Sequence, residues 1–401
     1  MSGASFSRRE FMAASAAGVM LSRGALGAND RIQLGLIGTG ERMGSHLAEL
    51  AKLKKSHNVT VTAVCDVWKP NLARASERVK KDHGKKPFET ARFGELLKRK
   101  DVDAVIIATP DFAHTPIMIE ALKAGRDVYV EKPMSQTVEE ATAALDLARK
   151  KNLVVQVGTQ YRSEGRQKAA RDFIASGRLG HVSRISAANC FNHARWARDF
   201  ADCKEKDVDW EAYLFNRPKV DFDPKLLRRW HLYKMCCNGI AGLWMVHLVD
   251  QAHMIMNASY PDAAVALGNI YVWKDGREHT DLFHALLDYP EGFLFEWCMN
   301  LTNAAGTHYT LHGQHGTLDL LTLQYGDEGG AGATYGQGVL QPPPDENHLA
   351  NWLDCLRSRR RPNADIEFGH QHSVASIMAA AALESGQRQR YDREKRVMYP
   401  G

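Results

Sequence analysis

Two side chains that can move protons stand out in this sequence, each at the end or on the face of a regular element. Asp127-Val128-Tyr129-Val130-Glu131-Lys132-Pro133 reads as a buried strand that runs into a lysine and is stopped by proline. A lysine placed there loses hydration, which lowers its pKa and suits it to proton transfer. His247 is the second candidate, since an imidazole exchanges protons near neutral pH. It stands on the run Ile240 to Asn257, which reads as a helix. One turn before it the chain carries Leu243, which can neither orient nor charge-pair with it, and Asp250 follows three residues later. His247, Asp250 and His253 are spaced three and three, which sets the outer two about 120° apart on a helix, so no metal centre is expected.

A third group of residues points to a bound anion. Gly38-Thr39-Gly40-Glu41-Arg42-Met43-Gly44 follows the strand Ile32 to Ile37 and leads into a helix, where backbone N–H groups can face a pyrophosphate. The spacing is irregular: Met43 stands where a third glycine is usual, and Gly44 comes one later. Asp66 closes the second strand about 20 residues on, placed to accept bonds from ribose hydroxyls. Its charge would repel a 2′-phosphate, so NAD is expected and NADP disfavoured.

The elements that must position these residues alternate strand and helix from Arg31 onward, with strands at Ile32 to Ile37, Val59 to Cys65, Ala104 to Ala108, the stretch before Lys132, and Leu153 to Val157. That alternation predicts an α/β fold, a doubly wound parallel sheet over residues 29–157. Thr137-Val138-Glu139-Glu140 is a capping box for the helix that follows. After Gly158 the rhythm changes to a helix from Glu164 to Ser176, a long strand from Val182 to Asn192, and a tryptophan-bearing excursion from His193 to Cys237. Strands are then expected at roughly 263–273, 281–289, 293–301, 307–313 and 316–324. Turns at Lys274-Asp275-Gly276 and Pro290-Glu291-Gly292 make that sheet mostly antiparallel. Residues 326–347 read as a surface loop, and helices are expected over His348 to Arg357 and Gln371 to Gln387. Residues 158–401 are thus expected to form a second, α+β domain.

Composition agrees with two cores: 401 residues, 44% hydrophobic and 25% charged. The net charge of +5, spread over 52 basic and 47 acidic side chains, is too mixed to imply nucleic acid, and Arg357-Ser358-Arg359-Arg360-Arg361 reads as a solvated helix end. The seven cysteines have neither zinc nor redox spacing. Ser7-Arg8-Arg9-Glu10-Phe11-Met12 is a twin-arginine signature, followed by an apolar run from Ala13 to Leu21 and by Ala25-Leu26-Gly27-Ala28. The run is shorter than the roughly 20 residues that span a bilayer. The expectation is therefore a cleaved signal over residues 1–28, read by the twin-arginine export machinery, with a periplasmic mature protein and no stable membrane insertion.

Gly38-Thr39-Gly40, Asp66, Thr109-Pro110 with His114, and above all Glu131-Lys132-Pro133 resemble the glucose-fructose oxidoreductase and inositol dehydrogenase family, Gfo/Idh/MocA. The resemblance implies that Lys132 lies beside nicotinamide and a substrate hydroxyl, with His247 as its acid/base partner. It implies a cofactor set of Gly38, Thr39, Gly40, Arg42, Met43 and Asp66, continued by Thr109, Pro110, His114, Glu131, Lys132 and Gln160. A sugar is the implied substrate, and Trp230, His231 and Asp250 are its tentative contacts, with Trp230 read equally as core and Asp250 as a structural partner rather than a catalyst. Dehydrogenases of the family carry an acid where this chain has Leu243. The segment Gly242 to His247 also resembles NAD-dependent glycoside hydrolases of the same fold, which return the hydride and leave no net redox change. Three readings stand: a sugar oxidoreductase with tightly bound NAD, such a glycosidase, and a non-catalytic sugar-binding relative. Family habit adds a homo-oligomer built on the open sheet of the second domain.

Overall fold

The computed structural model describes residues 30–332 and 336–401, so the expected signal over 1–28 lies outside the described residues. Strands β1 (Ile32–Ile37), β2 (Val59–Cys65), β3 (Phe88–Thr90), β4 (Ala104–Ile107), β5 (Asp127–Val130) and β6 (Val155–Val157) pair in the order β3-β2-β1-β4-β5-β6, every pair parallel. β4 and β5 are buried along their whole length, as strands covered by helices on both faces must be. β3 escapes the sequence reading because it is a three-residue edge strand with no apolar run. The strand order reverses between β1 and β4, and the loops that leave those two strands bound the crevice where ligands of such sheets bind.

One face of this sheet packs on the helices Asp111–Lys123 and Val138–Lys151, through Ile117, Met118, Leu122, Ala144 and Leu145. Thr137 caps the second of these as expected, accepting from Glu140 N at 3.2 Å. The other face packs on Met43, Leu47 and Leu50 of the helix Glu41–Leu53. It is completed from far along the chain, by Leu349, Trp352, Leu353 and Leu356 of the helix His348–Ser358.

The second sheet centres on β7 (Val182–Asn192), with β8 (Ala263–Asn269), β9 (Leu282–Tyr289), β10 (Phe293–Asn300), β11 (Thr302–Asn303), β12 (His308–Gly313) and β13 (Gly316–Asp319). Its core order is β13-β12-β7-β10-β9-β8, antiparallel except between β7 and β10. β11 pairs with the far end of β7. In β10 the side chains of Phe293, Phe295, Trp297 and Met299 are buried, one every second residue, so this sheet has one covered face. The helices Gly165–Ala175, Val246–Met256 and Ile366–Ser385 contribute to that core through Ala170, Phe173, Val249, Ile255, Val374 and Met378.

Several boundaries differ from expectation for readable reasons. β8 ends at Asn269 rather than near 273 because the buried Asp281 carboxylate takes the N–H groups of Tyr271, Val272 and Trp273, at 2.8–2.9 Å, out of the ladder. The last helix begins at Ile366, where Asp365 caps it by accepting from Glu367 N and Phe368 N. Gln389–Asp392 and Val397–Pro400 form a terminal hairpin that extends the second sheet beyond β8. The helix read over 240–257 opens with a π-turn, Ala241–Met245, before it becomes α-helical. Among the described residues no helix is long and apolar enough to cross a membrane.

Candidate active site

A cleft of about 930 Å³ runs from the glycine turn, past the ends of β4 and β5, to the π-turn. Gly38 has φ +77°, and a Cβ there would come within 2.7 Å of Thr109 N, so only glycine lets the first turn press against the loop after β4. The buried Asp66 accepts from Thr39 N at 2.6 Å and Thr39 Oγ1 at 2.9 Å through one oxygen, and from Trp68 N at 2.9 Å through the other. It thereby ties the end of β2 to the glycine turn, and burial raises its pKa in spite of these bonds. Gly38, Thr39, Gly40, Asp66, Thr109 and Pro110 line the cleft, and the buried Thr109 Oγ1 has no hydrogen-bond partner among the described residues. A backbone cradle that a Cβ would fill, opening on a helix N-terminus with an acid beyond it, fits a dinucleotide.

Four residues of the expected cofactor set, Arg42, Met43, His114 and Glu131, do other work. Met43 is fully buried and packs with Leu47 and Leu50 against the sheet, because its place on the first turn of the helix faces inward. Glu131 lines the cleft, but one of its oxygens is held by Arg42 Nε at 2.5 Å and His46 Nε2 at 2.8 Å. Burial alone would raise its pKa; His46 and Arg42 outweigh burial and hold this carboxyl well below the usual range. Gly158 makes room for it, since a Cβ there would lie 2.7 Å from Glu131 Oε2. His114 joins two loops, with Nδ1 2.8 Å from Pro133 O and Nε2 2.9 Å from Thr109 O.

Lys132 Nζ donates to the carbonyl of Leu243 at 2.7 Å. The position that lacks an acid therefore meets the lysine through its backbone, on a π-turn, a form often found at functional sites. Burial lowers the pKa of Lys132, opposed by the charges of Asp111 and Glu131. His247 lines the same cleft, its ring edge-on to Tyr161 at 5.3 Å and its buried Nδ1 without a partner. Burial, then the Lys132 charge, push its pKa down to about 3, which leaves a neutral imidazole. Gln160 also lines this end, with Oε1 unpartnered.

The tentative substrate contacts divide. His231 lies between two indoles, stacked on Trp230 at 3.6 Å and on Trp196 at 5.7 Å, and all three rings line the cleft. One face of Trp230 is thus already covered. Asp250 does not line the cleft: it is fully buried, paired with Arg162 at 2.8 Å and His372 at 3.0 Å. His253, one turn on, meets Tyr289 instead, at 2.7 Å. Among the described residues no group of three or more His, Cys, Asp or Glu side chains could hold a metal ion.

Sequence reasoning passed over Asp111, which lines the cleft, is 3% exposed and has an oxygen with no hydrogen-bond partner among the described residues. Burial pushes its pKa up to about 8, against the pull of Lys132. The signal was an acid opening the helix that follows β4, at the strand-order reversal.

Comparison with known proteins places the first domain. Residues 32–159 match the model of the oxidoreductase family with an NAD-binding Rossmann fold, GFO_IDH_MocA. A protein of Shewanella baltica named glycosyl hydrolase family 109 protein is 31% identical over 201 residues, 49% of this chain and 42% of that relative. The alpha-N-acetylgalactosaminidase of Shewanella oneidensis is 30% identical over 199 residues, 48% of this chain and 42% of its own. The match thus spans less than half the length of these relatives. Among solved structures, the WlbA dehydrogenase of Bordetella pertussis in complex with NADH and UDP-GlcNAcA superposes with a TM-score of 0.68 at 19% identity, covering 90% of this chain and 98% of that one. A levoglucosan dehydrogenase in complex with NADH gives 0.67 at 16%, with the same coverage. The structural likenesses extend the agreement in fold across both domains, and residues 32–159 are similar to the Gfo/Idh/MocA oxidoreductase family.

Proposed function

We propose that this chain holds NAD along the glycine turn and oxidises a sugar carbon at the other end of the cleft, with Lys132 and His247 handling the protons. The observation that carries the reading is that these two side chains share one cleft with the Gly38 cradle. Gly38, Thr39 and Gly40 would hold the pyrophosphate, and Asp66 the adenosine ribose. When bound, NAD supplies the hydride acceptor. Lys132 Nζ takes up the proton of the reacting hydroxyl, anchored by the Leu243 carbonyl. His247, neutral through burial, accepts or returns a proton at a neighbouring position. Trp196 and Trp230, around His231, offer apolar ring surface that suits a pyranose.

A redox-neutral glycosidase is the second reading. It is favoured by the relatives named for glycosyl hydrolase family 109 and by the non-acidic Leu243. One experiment separates the two: denature the purified protein to release nucleotide, then incubate native protein with nitrophenyl glycosides and with pairs of free aldoses. Phenol release without net NADH supports the glycosidase, and oxidised plus reduced sugar supports the oxidoreductase. Absence of both bound nucleotide and turnover would overturn either reading in favour of a binding protein. The twin-arginine signature supports export to the periplasm, where a tightly held cofactor recycled within each turnover would be needed; blocking that route in cells should leave the signal uncleaved. Val265 and Leu267, 41% and 78% exposed on the outer face of β8, support a homo-oligomer, testable by light scattering.

A further inference from the structure

Lys132 has two acidic neighbours, and only one is occupied. Glu131 is held by Arg42 and His46, whereas Asp111, buried and lining the cleft, leaves one oxygen without a hydrogen bond among the described residues. β4 and β5 pair with Ile107 opposite Val130, so the loops that carry Asp111 and Lys132 leave the sheet side by side. They meet at the π-turn: a Cβ on Gly242 would lie 3.8 Å from Asp111 Oδ2 and 3.4 Å from Pro133 Cγ, and the next carbonyl, of Leu243, accepts Lys132 Nζ at 2.7 Å. The carboxyl and the ammonium therefore rest on consecutive residues of one turn.

We propose that Asp111 is a positioning residue that sets the charge of Lys132 from the end of β4, in place of the acid absent at Leu243. This deepens the reading of Lys132 as the base and rests on it. The groups facing the pair are few. Glu131 is anionic but compensated by Arg42, the thiols of Cys236 and Cys237 are kept protonated by burial, and burial keeps the imidazoles of His247, His231 and His114 neutral. Lys132 is thus the cation that Asp111 answers to, and the two titrate as a pair, charged together or uncharged together. In the uncharged form the amine is free to act: the substrate O–H bond breaks, its electron pair stays on oxygen, and the proton forms a bond to Nζ. An unpaired buried carboxylate is costly, which is why Asp111 favours the uncharged pair until something in the cleft stabilises the charged one.

Competitive acylation of the full-length protein across a pH series, read at Lys132 by peptide mass spectrometry, reports its titration without any need for turnover. In Asp111→Asn the titration should move down by about one unit, making Lys132 about tenfold more reactive near neutral pH. Asp111→Glu should restore the wild-type curve, and the kcat profile should follow the same shift with KM unchanged. Asparagine matches the shape and removes a buried charge, so the variant should fold. The coupling is reciprocal, so Lys132→Met must raise the pH at which the Asp111 carboxylic acid band disappears from the infrared spectrum, by the same one unit. An unchanged Lys132 titration in Asp111→Asn, or an unchanged carboxyl titration in Lys132→Met, overturns the proposal. If wild type turns over no sugar, the functional reading fails while the two titrations still decide the coupling.

Discussion

The two ends of the cleft are built on opposite rules. At the glycine turn the acids are matched: both Asp66 oxygens accept hydrogen bonds and Glu131 is gripped by Arg42 and His46. At the π-turn they are not: Asp111 Oδ2 is buried with no partner among the described residues, and His247 Nδ1 and Gln160 Oε1 are likewise unpartnered. Buried polar atoms are nearly always satisfied, because an orphan costs about 1–3 kcal/mol. The difference separates a scaffold that fixes position from a site that keeps its hydrogen-bonding capacity for a ligand.

The comparison can be broken in a definite order. Lys132→Met should give the largest effect, lowering kcat by about two to four orders of magnitude while NAD affinity, read by fluorescence titration, stays close to wild type. Glu131→Gln should strike the matched end instead. It leaves Arg42 and His46 without their anion and costs about 2 kcal/mol in urea unfolding at neutral pH. Because the folded-state pKa of Glu131 is depressed, its stabilisation is present above the usual carboxyl range and lost as pH falls, so the gap between wild type and variant should close in acid. Asp111→Asn should act in the reverse sense. Its folded pKa is raised to about 8, so the protein keeps its full stability below the ordinary carboxyl value of 3.8 and loses it as pH rises through 8. The variant should match wild type at the acid end and unfold at a higher temperature at the alkaline end. Asp250→Asn should have the smallest catalytic effect, lowering the unfolding midpoint with kcat/KM nearly unchanged, since Asp250 meets Arg162 and His372 and no part of the cleft.

The matched end was the legible one. A glycine between strand and helix and an acid at the next strand end are constraints of backbone and spacing, which a sequence displays directly. Met43 misled because a helix position fixes only a direction, and what lies in that direction belongs to the tertiary fold. The unmatched end was half legible. Lys132 announces itself as a charge ending an apolar strand, but the Leu243 carbonyl has no sequence signature, because every residue has one and the π-turn that presents it follows no residue code. Asp111 was visible as a letter and silent as a role, since its importance lies in the lack of a partner.

The helix His348–Ser358 has a bearing on the order of events during synthesis. The last strand of the parallel sheet ends at Val157, yet Trp352 and its neighbours, which cover Tyr129 and Ile106, leave the ribosome much later. At ordinary translation speeds that delay is about 10 to 40 s. Through that interval the face covered by the helix Glu41–Leu53 keeps an uncovered apolar patch at Tyr129 and Ile106, a natural substrate for a holdase chaperone. Completion of the parallel-sheet domain is then a late step, set by a helix near the end of the polypeptide.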